Sequence, residues 1–274
     1  MGPTNDQAFL SFPPGLLNDS PLRINILKNT DTWLAIDKPA GIATRQYPWN
    51  PTTANLDTAL NKQLLNQKPE LLKLGATLFG SAYIMDTEIS GVALFAKNRS
   101  STEKLRNLVG SEKVGFKFIF IAKTIDESEF TEDAPLLPHN TKPKMIPSTA
   151  KGKKALTHFR AIQKSPLGWS LWEATTAFPR LHQVRAHAAV QGISIFGDLL
   201  YSGVEASPLS ELKQKTPKFK IQYPIFRGIA LHLSEVDLPV NSGENETTQL
   251  VANLPKHFRF LLKRLQLDYT QSDD

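Results

Sequence analysis

Arg180, His182, Gln183, Arg185 and His187 fall within eight consecutive positions of a 274-residue chain. The residues between and after them, Leu181, Val184 and Ala188, form an apolar stripe at helical spacing. A basic helix is ordinarily a solvated face, but donors and cations this dense on a buried-looking segment suit a site that holds positive charge against an anion. Zinc chemistry fits poorly, because His182 and His187 are five apart and do not share a helix face as a zinc-protease pair does. There is no Gly-rich phosphate loop and no Gly-x-Ser-x-Gly nucleophile elbow. Asp86 and Glu88 would share one face of an extended segment, as a sugar-cleaving acid/base pair must, yet nothing around them supports that chemistry.

The elements that must position these groups follow from pattern. The cationic helix stops at Gly192, before a strand candidate Ile193–Phe196 and a Gly197-Asp198 turn. Residues 1–22 carry no period and are expected to form an irregular arm, followed by one large domain over 23–266 and a tail over 267–274. Strands are expected at Ile24–Leu27 and Trp33–Ile36, the second running into Lys38-Pro39-Ala40-Gly41. Leu56, Leu60 and Leu64 predict a helix over 55–66. Val92–Ala96 reads as a buried strand, and Ser100 with Glu103 as a capping box opening a helix that Gly110 closes. Phe116–Ala122 alternates little and predicts a strand covered on both faces. Residues 131–154 are Pro- and Lys-rich and read as a long loop; strands resume at Ala155–Ile162 and Trp169–Thr175. Residues 204–224 read as another loop, with Lys213, Lys215, Lys218 and Lys220 around Phe219, a composition able to track phosphates and stack a base. Strands over 227–233 and 236–238, then a helix with Pro255 at its first position, complete the chain.

Taken in order, several of these stretches resemble the signatures of the RluA-type pseudouridine synthases. Arg180, His182, Gln183, Arg185, His187, Gly192, Ile195, Gly197, Asp198, Leu200 and Tyr201 match the family's GRTHQIRVH…GxPIxGDxLYG, with Pro179 for its first Gly and Leu181 for its Thr. Lys38 to Gly41 match its KPAG, and Asp86 with Ser90 to Lys97 match its catalytic HRLDxxTSGLLLFAK. Ala230-Leu231-His232 partly match its late strand. The resemblance implies an α+β fold: a long, mostly antiparallel mixed sheet with flanking helices and a central cleft. It implies an isomerase that converts uridine to pseudouridine in structured RNA, ribosomal or transfer, with no cofactor and no metal. Breaking an N-glycosidic bond, turning the base and rejoining it through carbon asks for a carboxylate acting as nucleophile or base. The resemblance gives that role to Asp86, and to Arg185 the role of its fixed cationic partner, suited to two-point bonding of a carboxylate.

Two family groups are replaced. Tyr83-Ile84 stand where the family has His-Arg, the arginine being the group expected to fill the space of the flipped nucleotide; an apolar wedge can also hold bases apart. Phe118 stands for the active-site tyrosine, able to stack on uracil but lacking the hydroxyl. Tyr83 is the available source of a hydroxyl from the other side. With Arg180, His182 and Gln183, these three are the expected substrate-binding residues. The losses favour an alternative, a non-catalytic RNA-binding relative; the retained Asp86 and Arg185 favour the enzyme.

Composition agrees with an RNA partner without demanding one. The net charge is +6 and the isoelectric point near 9.4, and cationic surfaces gain affinity by releasing counterions from phosphates. The chain has no cysteine, which excludes disulfides, thiol catalysis and Cys-bound zinc. No signal-like or membrane-spanning run stands out, so a cytoplasmic monomer is the expectation.

Overall fold

The computed structural model describes residues 8–201, 226–239 and 247–270. In chain order the elements are β1 (Phe9–Phe12), β2 (Leu22–Asn29), β3 (Trp33–Lys38), α1 (Leu56–Leu65), α2 (Pro69–Leu72), β4 (Gly80–Ser81), β5 (Ser90–Ala96), α3 (Arg99–Gly110) and β6 (Gly115–Lys123). There follow β7 (Glu129–Glu132), β8 (Leu136–Pro138), β9 (Met145–Pro147), β10 (Thr157–Lys164), β11 (Trp169–Thr176), α4 (Gln183–Val190), β12 (Leu231–Pro239), β13 (Thr247–Val251) and α5 (Lys256–Arg264). The chain divides into two compact units. The first comprises residues 1–116, 177–181 and 235–252, the second residues 117–176, 182–234 and 253–274.

In the first unit β1, β2, β3 and β5 lie side by side in that order, with β1–β2, β2–β3 and β3–β5 antiparallel. Every residue of β5 is buried, as its continuous apolar run requires. The β3–β5 register runs from Trp33 opposite Ala96 to Lys38 opposite Gly91. It therefore sets the Lys38–Gly41 turn beside the loop that enters β5, the loop carrying Asp86. In the second unit β6, β11, β10 and β7 are successive neighbours, and β8 and β9 form a separate hairpin. Helix α5 buries Phe258, Leu261 and Leu262 in a cluster with Ile119, Trp169 and Phe196. The α+β class and the mostly antiparallel strands expected from the sequence are both present.

The structure corrects four local expectations. Residues 9–12 of the expected arm are a strand: Phe-Leu-Ser-Phe alternates, burying Leu10 and Phe12, and pairs with β2 from Phe9↔Asn25 to Phe12↔Leu22. The cap of α3 is Asn98, whose side chain accepts from the Ser101 N–H at 2.8 Å, so the helix begins before the supposed Ser100–Glu103 box. The 131–154 loop contains β8, β9 and the end of β7. Ile193–Phe196 is no strand; it lies along β6 through the Lys123 N–H to Ser194 O bond and the Phe196 N–H to Ile121 O bond. The lysine-rich 204–224 loop lies outside the described residues. By contrast Phe116–Ala122 is buried throughout except Lys117, as a strand covered on both faces should be.

Candidate active site

Asp86 lies in the first unit and is only 5% exposed. Its loop is held from below by the turn that follows β3. The Lys38 ammonium donates to the carbonyls of Ile89 at 2.6 Å, Ile42 at 2.8 Å, Pro39 at 3.1 Å and Thr87 at 3.4 Å. Gly41, at φ +86°, donates its N–H to the Thr87 carbonyl at 2.7 Å, a conformation that favours glycine. The Met85 N–H donates to Thr44 Oγ1 at 3.2 Å, and the Tyr47 hydroxyl donates to the Met85 carbonyl at 2.8 Å. Residues on both sides of Asp86 are thus pinned to one segment, Lys38–Tyr47. That segment is itself anchored by the Leu56 N–H bond to Ala43 O and by Arg45, which bonds the Ser81 hydroxyl and carbonyl, each at 3.0 Å.

The electrostatics of this cradle are those of a buried cation among carboxylates. Burial pushes Lys38 down to about 7, while the charge of Asp86, then Glu88 and Asp37, holds it up. Tyr47 is pushed well above the usual phenol range by burial and by the Asp86 charge, so it remains a neutral donor. Lys38 carries a testable consequence. Its folded value, about 7, lies below its ordinary 10.5. Between those values the unfolded chain holds more protons, so stability rises with pH across that window. In Lys38→Met this rise is absent. The stability difference between wild type and variant, from urea unfolding, should move toward the wild type by on the order of 1 kcal/mol per pH unit above pH 7. A difference independent of pH would mean that the four carbonyls keep the ammonium charged despite burial.

The expected substrate residues of this unit have different surroundings. Tyr83 donates its hydroxyl to the Val92 carbonyl at 2.7 Å and meets the Phe116 ring edge-on, with 4.9 Å between centroids. Its hydroxyl is engaged in the core, so it is not the spare reacting hydroxyl the sequence left available. Ile84 is half-buried against a small apolar cluster. Arg180 places its guanidinium carbon 4.8 Å from the Phe178 ring centre, with burial lowering its pKa and Glu112 opposing the shift.

Phe118, His182, Gln183 and Arg185 lie in the second unit, all buried. His182 adopts φ +54° as the residue before α4, turning the chain into the helix that carries Gln183, Arg185 and His187. The Gln183 amide nitrogen lies 2.9–3.0 Å from Leu156 O, Thr157 Oγ1 and Thr176 Oγ1, tying the helix start to β10 and β11. Arg185 bonds Asp198 at two points, Nε to Oδ2 at 2.7 Å and Nη2 to Oδ1 at 3.0 Å, and its guanidinium carbon lies 5.1 Å from the Tyr201 ring centre. The Tyr201 hydroxyl accepts from the Met145 N–H at 2.6 Å and lies 3.1 Å from His182 Nδ1. Asp198 reaches Arg185 because of the turn at Gly197, where φ is +80° and an added Cβ would sit 2.0 Å from the Gly228 carbonyl oxygen. His187 Nε2 lies 3.0 Å from Ala134 O and its Nδ1 2.8 Å from the Thr157 hydroxyl, and burial lowers its pKa.

Sequence reasoning passed over Thr44, Tyr47 and the function of Lys38. The one available signal was Lys38 itself, a charged residue where Ile36 and Val92 require a buried strand. Among the described residues no group of three His, Asp or Glu side chains is placed to hold a metal ion.

The class the structure defines is an α+β protein of mostly antiparallel strands with a buried aspartate, Asp86, on a loop whose backbone is held on both sides. The family is defined by comparison. A family model described as RNA pseudouridylate synthase matches residues 32–190, which include Lys38, Asp86 and Arg185, and the chain belongs to that family. Ribosomal large subunit pseudouridine synthase D of Haemophilus influenzae is 26% identical over 251 residues, 92% of this chain and 74% of the relative. Ribosomal large subunit pseudouridine synthase C of Rickettsia conorii is 31% identical over 188 residues, 66% of this chain and 57% of the relative. The solved structure of human RNA pseudouridylate synthase domain containing 4 shares the fold, with a TM-score of 0.65 and 19% identity over 90% of this chain and 94% of that one.

Proposed function

We propose that this RNA pseudouridine synthase isomerises uridine in ribosomal RNA, with Asp86 as the reacting carboxylate. The observation that supports this most is the cradle: four hydrogen bonds from Lys38, Gly41 and Tyr47, with the Met85 N–H bond to Thr44, define the backbone around one buried aspartate. A reacting group held in this way needs no reorganisation when the transition state forms. The reaction breaks the bond from N1 to the ribose and makes one from C5, with the C5 proton lost and N1 regaining one. Atoms and electrons balance within the nucleotide. The names of the bacterial relatives support ribosomal RNA as the substrate. A cytoplasmic, monomeric enzyme is the simplest form of this reading; no helix among the described residues is long and apolar enough to cross a membrane.

The test is pseudouridine mapping of ribosomal RNA from cells with and without the gene, paired with purified protein on an unmodified large-subunit transcript. One or a few sites should disappear in the absence of the gene and reappear with the purified protein. An unchanged map together with tight RNA binding would favour the non-catalytic relative, the reading suggested by Phe118 and Ile84.

A further inference from the structure

Ile84 and Trp49 are the half-buried members of an apolar cluster whose buried part is Ala43, Tyr47 and Leu181. Two of the five stand where the RluA-type signature has polar groups, Ile84 for its arginine and Leu181 for its threonine. These two residues lie far apart in the sequence, and both belong to one apolar cluster in the structure. The cluster adjoins the reacting group. Ile84 is two residues before Asp86, and Tyr47 binds the intervening Met85 carbonyl at 2.8 Å. Trp49 is set by a tight turn in which the Asn50 N–H bonds the Tyr47 carbonyl at 3.3 Å.

An indole and an isoleucine side chain that keep part of their surface in water here suit a flat, neutral ligand. Phosphate suits this cluster poorly, because Asp86 and Glu88 act on Tyr47 as negative charges. A base has a π-face that stacks on an indole whatever its sequence, and an apolar side chain can wedge between bases that an arginine would otherwise separate. We propose that Trp49 and Ile84 form a stacking platform for an unpaired RNA base adjoining the nucleotide presented to Asp86. The proposal rests on the function proposed above. Tyr47 and Leu181 position the platform without touching the RNA.

The test uses the full-length protein and a single-stranded oligouridylate, with Trp49→Phe, Trp49→Leu and Trp49→Ala. Binding should quench the indole emission of the wild type, and the Trp49→Phe protein should lose most of that quench while binding within about threefold of wild type, since a phenyl ring still stacks. Trp49→Leu and Trp49→Ala should bind about tenfold more weakly. On ribosomal transcripts the same two should raise KM with kcat little changed, the signature of binding shared by ground and transition states. Trp49→Leu keeps an apolar cap on the cluster, so it reports on stacking even if Trp49→Ala unfolds. If Trp49→Leu binds and turns over like wild type, Trp49 only covers the cluster and the platform is wrong. If wild type forms no pseudouridine at all, the functional reading fails instead, and the quench and affinities still judge the platform.

Discussion

Asp86→Asn is expected to abolish pseudouridine formation, lowering single-turnover rates on a ribosomal transcript by about a thousandfold or more. The substitution keeps the size and shape of the side chain and removes only its capacity to act as nucleophile or base. The cradle should survive it, because Lys38, Gly41 and Tyr47 donate to the backbone carbonyls of Met85, Thr87 and Ile89, and the Met85 N–H donates to Thr44. RNA affinity should therefore stay within about 1 kcal/mol of wild type, the pattern left when a reacting group alone is removed. The Lys38 ammonium loses the largest charge that holds its pKa up, so some stability near neutral pH is expected to go with it. Carbodiimide mapping of product and filter binding of RNA separate the two effects. Near wild-type turnover in Asp86→Asn would remove Asp86 from the mechanism.

Arg185→Lys is expected to destabilise the protein by about 3 kcal/mol although the charge is kept. Both side chains of the Arg185–Asp198 pair are 1% exposed. A planar fork makes two short bonds to the carboxylate and lies over the Tyr201 ring; a lysine reproduces neither geometry. Asp198→Asn approaches the same pair from the other side and should cost a similar amount. The two substitutions should be far from additive, as expected for partners in one bond network. The resemblance also gives Arg185 a part in the reaction, and turnover distinguishes that part from stability. With both variants measured well below their unfolding temperatures, Arg185→Lys should lose at least tenfold more kcat than Asp198→Asn, by the size of a lost charge-assisted contact of about 1.4 kcal/mol. Equal losses would leave Arg185 a positioning residue only.

Much of the molecule was legible in one dimension because its signals are local. The run Val92–Ala96 announces a strand buried on both faces, and Leu56, Leu60 and Leu64 announce a helix, since side-chain period reports which face meets the core. The order of motifs around Lys38, Asp86 and Arg185 likewise identified the family and proposed the carboxylate. What the linear pattern left undecided were the partners. Lys38 reads as one end of a strand; only the antiparallel register with β5, which puts it opposite Gly91, delivers its ammonium to Thr87 and Ile89. Tyr47 has no motif around it, and it meets Met85 because the loop before α1 folds back over a separation of 38 residues. The short strands β1 and β13 were missed because four or five residues hold too little period to stand above turn-like composition. Ile84 and Leu181 read as two unrelated departures until packing put both in one apolar cluster. Side-chain chemistry is written residue by residue, whereas the contact that gives it a use depends on strand register and loop closure. Those are settled by the burial of the whole chain.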